Sequence, residues 1–231
     1  MISATQLRSV PETAAELGVN EQRVRQLVAS GQLDATKVGG RWLITTEALA
    51  EYAKHGRTSG RPWGERRSWG YLWLALGRDP TWLSAPEASR LRRQLRDEGV
   101  QPVASKLRTR ATTIELSGHP AGVRRLRADR ACVMAGISAA AAWKADIHAV
   151  GDIVEAYCKP HDASRLQRSS HLVKSASPNV VLHVTSELWP FDPDERVAPA
   201  LVTALDLIES SDQRTQRAGR DLLRRSAPRR A

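Results

Sequence analysis

The chain has 231 residues, 41% of them hydrophobic, with seven tryptophans, a formal charge of +10 and a pI near 10.4. That length supports two modest domains with a real core, while the absence of a signal-peptide pattern and of an apolar run of about 18 residues argues against a secreted or membrane-spanning class. The basic excess is mostly arginine, whose planar fork suits phosphate and guanine edges, so a polyanionic partner is favoured, although charge alone does not prove one.

Taken in chain order, Ser9 begins a capping box with Glu12, and Pro11 stands in the first turn, where a missing N–H is harmless. Val10, Ala14 and Leu17 share one helical face, and Gly18 ends the helix. Asn20 is the next N-cap, opening a helix that runs to about Ser30 before Gly31. At 100° per residue Val24, Leu27 and Val28 point inward. Gln22, Arg25, Gln26 and Ala29 point outward, flanked by Glu21 and Arg23. Two amides, a guanidinium and a small residue on one exposed face suit a helix in a DNA major groove, where glutamine pairs with adenine and arginine with guanine or phosphate.

Ala35–Val38 and Arg41–Thr45 are β-prone runs joined by Gly39-Gly40, a two-residue hairpin turn in which both positions can take positive φ. Trp42 and Ile44 share a face that seals the hairpin onto the helices, and Lys37 and Arg41 lie near its tip, within reach of phosphates or a minor groove. Thr46 caps a third helix that buries Leu49, Ala50 and Ala53. A helix, a short turn, a reading helix and then VGGRWLI at 38–44 resemble the excisionase and MerR-like winged helix-turn-helix family, whose wing reads hydrophobic-GGRW-hydrophobic-Ile. The resemblance implies a DNA-binding domain over residues 1–55, with Gln22, Arg23, Arg25, Gln26, Lys37 and Arg41 as contacts. A protein-binding role is the alternative for so small a module.

Residues 56–68 read as a basic linker in which Arg57, Arg61, Arg66 and Arg67 either track the DNA backbone or are simply solvated. A helical segment follows over 69–111. Trp69, Tyr71, Leu72, Trp73 and Leu76 form a buried helix, or the dimer surface if the run is not wholly core. Ser84 caps a helix to Glu98 that buries Ala88, Leu91 and Leu95 and exposes four arginines; with the shorter basic helix from Pro102 to Arg110 it is either a second DNA-binding element or an ordinary solvated surface.

From residue 112 to 225 strands and helices alternate, giving an α+β chain overall: an N-terminal winged helix-turn-helix, a helical segment and a small α/β domain with helices on one side of a short sheet. The strands expected are Thr113–Leu116, Ala131–Met134, Ile153–Cys158 and Asn179–Thr185, and 226–231 is a basic tail. Asp146, His148, Asp152 and Glu155 could suggest a metal site, but no Gly-Ser phosphate loop precedes them. Cys158, His161 and Asp162 lack a second ligand pair. His183, within the strand NVVLHVT, reads as structural, and Cys132 and Cys158, outside any CxxC pair, as buried inert thiols of a reducing cytoplasm. No catalytic, cofactor-binding or metal-binding residue is expected, and the chain reads as a non-enzyme.

PNVVLHV, WPF at 189–191 and RVAPALVTALDLIESSDQRTQRAGRDLL at 196–223 resemble the C-terminal part of AbiEi-type antitoxins, with Asp212, Arg214, Arg217 and Arg220 at its polar positions. The resemblance implies an autorepressing antitoxin whose partner is a nucleotidyltransferase-like toxin, but the excisionase-like N-terminus departs from that family's usual winged helix. The expectation is a sequence-specific transcriptional regulator of the nucleoid, acting on double-stranded DNA at its own operator, as a homodimer or as cooperating copies. An excisionase-like architectural factor that bends DNA is the alternative.

Overall fold

Ser9 does what its sequence context demands. Its amide donates to Glu12 Oε2 at 2.7 Å, and Glu12 N–H returns to Ser9 Oγ at 3.4 Å, so α1 (Val10–Leu17) starts on a closed capping box. The computed structural model describes residues 7–29, 33–55, 62–148, 152–175 and 177–228, without the side chains of 50, 51 and 53–55. Two compact units emerge, Met1–Ser59 and Gly60–Ala231.

In the first unit, Gly18 ends α1 in the left-handed region (φ 65°), and Asn20 Oδ1 accepts the Arg23 N–H at 2.8 Å to start α2 (Glu21–Ala29). The hairpin is β2 (Thr36–Val38) and β3 (Arg41–Thr45), with Gly39 and Gly40 at φ 54° and 81°, the conformation that makes this turn a glycine pair. Thr45, not Thr46, caps α3 (Thr46–His55), its hydroxyl accepting the Ala48 N–H at 3.0 Å. The expected burial of Ala50 and Ala53 lies outside the described side chains. A strand absent from the sequence reading, β1 (Leu7–Ser9), pairs antiparallel with β3, giving the order β1-β3-β2. Val10, Ala14, Val24, Leu27, Leu33, Ile44 and Leu49 form the core.

The second unit starts earlier than expected. Trp63 is buried and its amide donates to the Lys106 carbonyl at 3.0 Å, and α4 spans Glu65–Ala75, so the end of the expected linker is core. Glu65, inside that expected linker, is buried and caps the loop after the last strand, accepting from Ser186 and Glu187 amides at 2.9 and 3.0 Å. Arg66 donates to the Trp82 carbonyl at 2.5 Å and Arg67 stacks on the Trp63 ring at 4.3 Å, so neither is simply solvated; Arg57 and Arg61 lie outside the described residues. Trp69, Tyr71 and Leu72 are fully buried while Trp73 and Leu76 are half-buried, so most of this run is core. Next come α5 (Ala85–Glu98) and a 3-10 helix, Gln101–Arg110.

A five-stranded sheet follows, in the order β5-β6-β8-β4-β7. Its strands are β4 (Thr112–Ser117), β5 (Val133–Met134), β6 (Val154–Cys158), β7 (Val173–Lys174) and β8 (Val180–Val184); β6 and β8 are parallel and the other pairs antiparallel. The intervening helices are α6 (Pro120–Ala128), α7 (Gly136–Ala139) and α8 (Pro160–Ser169), and the last two are α9 (Ala200–Glu209) and α10 (Gln213–Ser226). Helices cover both faces, not one. Val154, Ala156, Cys158, Val180 and Leu182 meet Val123 and Leu126 of α6 and Ala163 and Leu166 of α8. The alternate residue Tyr157 faces the other way, toward Trp69 and α9.

Candidate nucleic-acid interface

The first unit places the expected contacts on two elements. Val24 and Leu27 of α2 are buried, and this fixes the rotation of the helix: Gln22, Arg23, Arg25, Gln26 and Ala29 are all exposed. Gln22, Arg25, Gln26 and Ala29 fall within about 100° of arc, and Arg23 sits about 60° outside it. Asn20 already occupies one free amide of the helix N-terminus, so the face is defined by its side chains.

Arg25 is not idle. Its guanidinium meets Glu21 Oε2 at 2.7 Å, one turn back, with both side chains about half exposed. Sequence reading placed Glu21 only at the flank, although the i, i+4 spacing is the signal for the pair. The carboxylate orients Arg25 along the helix and repels phosphate. Glu21→Gln is expected to raise affinity for random duplex DNA about two- to fivefold while reducing the preference for a specific site, which a competition titration against random DNA would measure.

The wing places its two cations on different faces. Antiparallel partners share a sheet face, and Lys37 stands opposite Trp42 while Arg41 stands opposite Val38. Lys37 therefore lies on the inward, Trp42–Ile44 face, its ammonium 5.7 Å from the Trp42 ring centre, and Arg41 projects from the opposite face. Both are exposed, but they do not form one cationic patch. The arrangement fits a hairpin tip entering a groove with one cation toward each wall.

The second unit buries a polar network. Arg110, read as part of a basic helix face, is 1% exposed. Its Nε–H donates to Tyr157 Oη (2.9 Å), and its terminal nitrogens donate to the Leu107 carbonyl (3.1 Å), Glu209 (2.6 and 3.0 Å) and Asp206, so all five N–H groups are used. Burial works against the Arg110 charge, but Glu209, Tyr157 and Asp206 outweigh it and raise its pKa. Burial pushes the Asp206 carboxyl upward against the pull of Arg110 and His183. His183 Nε2 contacts Glu155 at 2.8 Å; burial opposes the charged form of each, and their mutual contact still raises the histidine and lowers the glutamate. Nothing in the sequence linked these residues, because 96 positions separate Arg110 from Asp206.

The residues considered for metal chemistry are dispersed. Glu155 is committed to His183, Asp152 pairs with Arg124 at 3.6 Å, and Asp146 and His148 are exposed. Cys158 is buried, its thiol pushed up to about 12 by desolvation, and His161 is exposed beside Asp162 at 3.2 Å. Among the described residues no three His, Cys, Asp or Glu side chains converge as a metal site, and no helix is long and apolar enough to cross a membrane.

Residues 9–57 match a family model described as a helix-turn-helix domain. The match spans α1, α2, the wing and α3, and it supports a DNA-binding regulatory role for this unit. No curated protein and no solved structure matches the chain significantly. The antitoxin resemblance of the C-terminal residues finds no support in these comparisons.

Proposed function

We infer that the chain is a sequence-specific transcriptional regulator that reads duplex DNA with α2 and holds its register with the wing. The observation that carries this reading is the outward face of α2. Its amide and guanidinium side chains have no packing role, yet Val24 and Leu27 hold the face rigidly within a helix-turn-helix unit. Gln22 and Gln26 would read adenine edges, Arg25 a guanine or a phosphate, and Arg23, Lys37 and Arg41 the backbone. One reading helix spans few base pairs, so two or more copies acting together fit the reading best. The second unit is proposed as a non-catalytic effector or partner domain, and a nucleotidyltransferase-like toxin is the partner that its C-terminal sequence resemblance implies.

The test is a mobility shift with the DNA immediately upstream of the protein's own gene, at two salt concentrations and with random competitor. Binding that survives competitor, in steps that reflect several bound copies, is the expected result. Binding that random DNA abolishes would instead favour the excisionase-like architectural reading, and no binding would leave the unit a protein-interaction module.

A further inference from the structure

Helix α10 presents five arginines against one acid. Its inner face, Thr215, Ala218, Gly219, Leu222 and Leu223, is buried on α9. Gly219 permits that contact, since a Cβ there would stand 2.8 Å from the Ile208 amide nitrogen. At 100° per residue Arg214, Arg217, Arg220 and Arg224 fall on the opposite side, in one exposed stripe about 15 Å long.

Three features bear on what this stripe can bind. Some exposed arginines of the unit meet carboxylates: Arg92 meets Asp79 at 2.9 Å, and Arg165 meets Asp129 and Asp162 at 2.8 and 2.9 Å, while Arg125 and Arg127 donate to backbone carbonyls. On α10, among the described residues, only Arg224 has such a partner, Asp221, and Arg220 reaches only Gln216 at 3.1 Å. Asp212, the acid nearest Arg214, is engaged as the N-cap, accepting the Thr215 N–H and hydroxyl at 2.7 Å. Finally, Arg214 and Arg217 occupy the first turns, where the helix dipole disfavours cations and the N-cap Asp212 is the acid beside them.

We propose that the Arg214–Arg217–Arg220 stripe of α10 is a second, sequence-independent contact to the backbone of duplex DNA flanking the site read by α2. This rests on the reading given under Proposed function. Arginines about one turn apart on a rigid helix can meet roughly two or three phosphates of one strand, each contact releasing condensed counterions. Covalent linkage to the reading unit makes the second contact intramolecular, so a weak surface adds substantially to the whole.

The test uses the full chain and a duplex of about 30 base pairs, in the operator and a random version, titrated by fluorescence anisotropy between 50 and 200 mM salt. A triple variant, Arg214→Gln, Arg217→Gln and Arg220→Gln, is expected to lower the slope of log K against log salt by about 2–3. It should weaken both duplexes roughly tenfold or more at low salt and leave their ratio unchanged. The matching triple change to lysine should keep the slope, and Gln22→Ala with Gln26→Ala should keep the slope while losing the ratio. An unchanged slope in the glutamine triple, with wild-type helicity and melting temperature, would overturn the inference and leave the reading-helix proposal standing. So would a loss confined to single-stranded RNA or to an acidic protein. A wild-type chain that binds no duplex at all would remove both.

Discussion

Arg110→Ala is expected to destabilise the second unit by about 3–5 kcal/mol, the cost of leaving a buried counter-charge without its partner. For a unit of this size that corresponds to a fall of roughly 10 °C or more in its melting transition, followed by near-ultraviolet circular dichroism of the tryptophan cluster. The magnitude follows from what the guanidinium holds. Asp206 is 3% exposed and faces Tyr157 Oη at 2.7 Å, so without Arg110 its carboxylate has no cation in contact and little water. The same guanidinium ties the 3-10 helix to α9, whereas the Trp69 indole donates to the Arg110 backbone carbonyl at 2.8 Å, a bond the substitution keeps. Glu209 is less trapped, being 23% exposed on its side chain, and can turn to solvent. Arg110→Met combined with Asp206→Leu removes both buried charges and is expected to recover much of the loss, because the attraction of such a pair largely repays its own desolvation. A double variant no more stable than the single would show that the network's geometry, rather than the uncompensated charge, supports the unit.

That network marks the limit of what the sequence disclosed. Local rules worked wherever the cause was local: the Ser9 capping box, the Ser84 and Asn20 caps and the Gly39-Gly40 turn all formed as read. Helical periodicity also placed Val24, Leu27 and Leu91 inside. The failures are non-local. Leu7–Ser9 carries no strand pattern in three residues and becomes a strand only because β3 offers an edge. Trp63 and Glu65 sit in a Gly- and Arg-rich stretch that reads as linker, and only the partners 40 or more positions away, Lys106 and Ser186, reveal them as structural. The α2 face was legible as a face, since helical phase alone sets it. That Lys37 and Arg41 point to opposite sides of the wing depended on strand register, which a one-residue shift would have reversed.

The largest functional effect is expected from α2 itself. Gln22→Ala and Gln26→Ala each remove a group able to make two hydrogen bonds to an adenine edge, so each should lower affinity for the preferred site by about 1–3 kcal/mol and relax preference at its own base position. Affinity for random duplex should change little, because neither side chain is charged. Arg41→Ala should behave differently: projecting from the far face of the wing, it should weaken all duplexes alike and reduce the salt slope by about 1. Arg25→Ala tests a further distinction. A phosphate role predicts a uniform loss, whereas a guanine contact predicts loss at one position, and the Glu21 carboxylate 2.7 Å from the guanidinium favours the second by holding the side chain along the helix axis. Binding by the four variants to a library randomised one position at a time separates these outcomes. Equal losses on every sequence from Gln22→Ala, Gln26→Ala and Arg41→Ala would mean that α2 lies along the backbone and that some other element reads the bases. A module that discriminates sequence through α2 must instead show its glutamine effects only at particular bases, since burial of Val24 and Leu27 leaves the helix no other face to present.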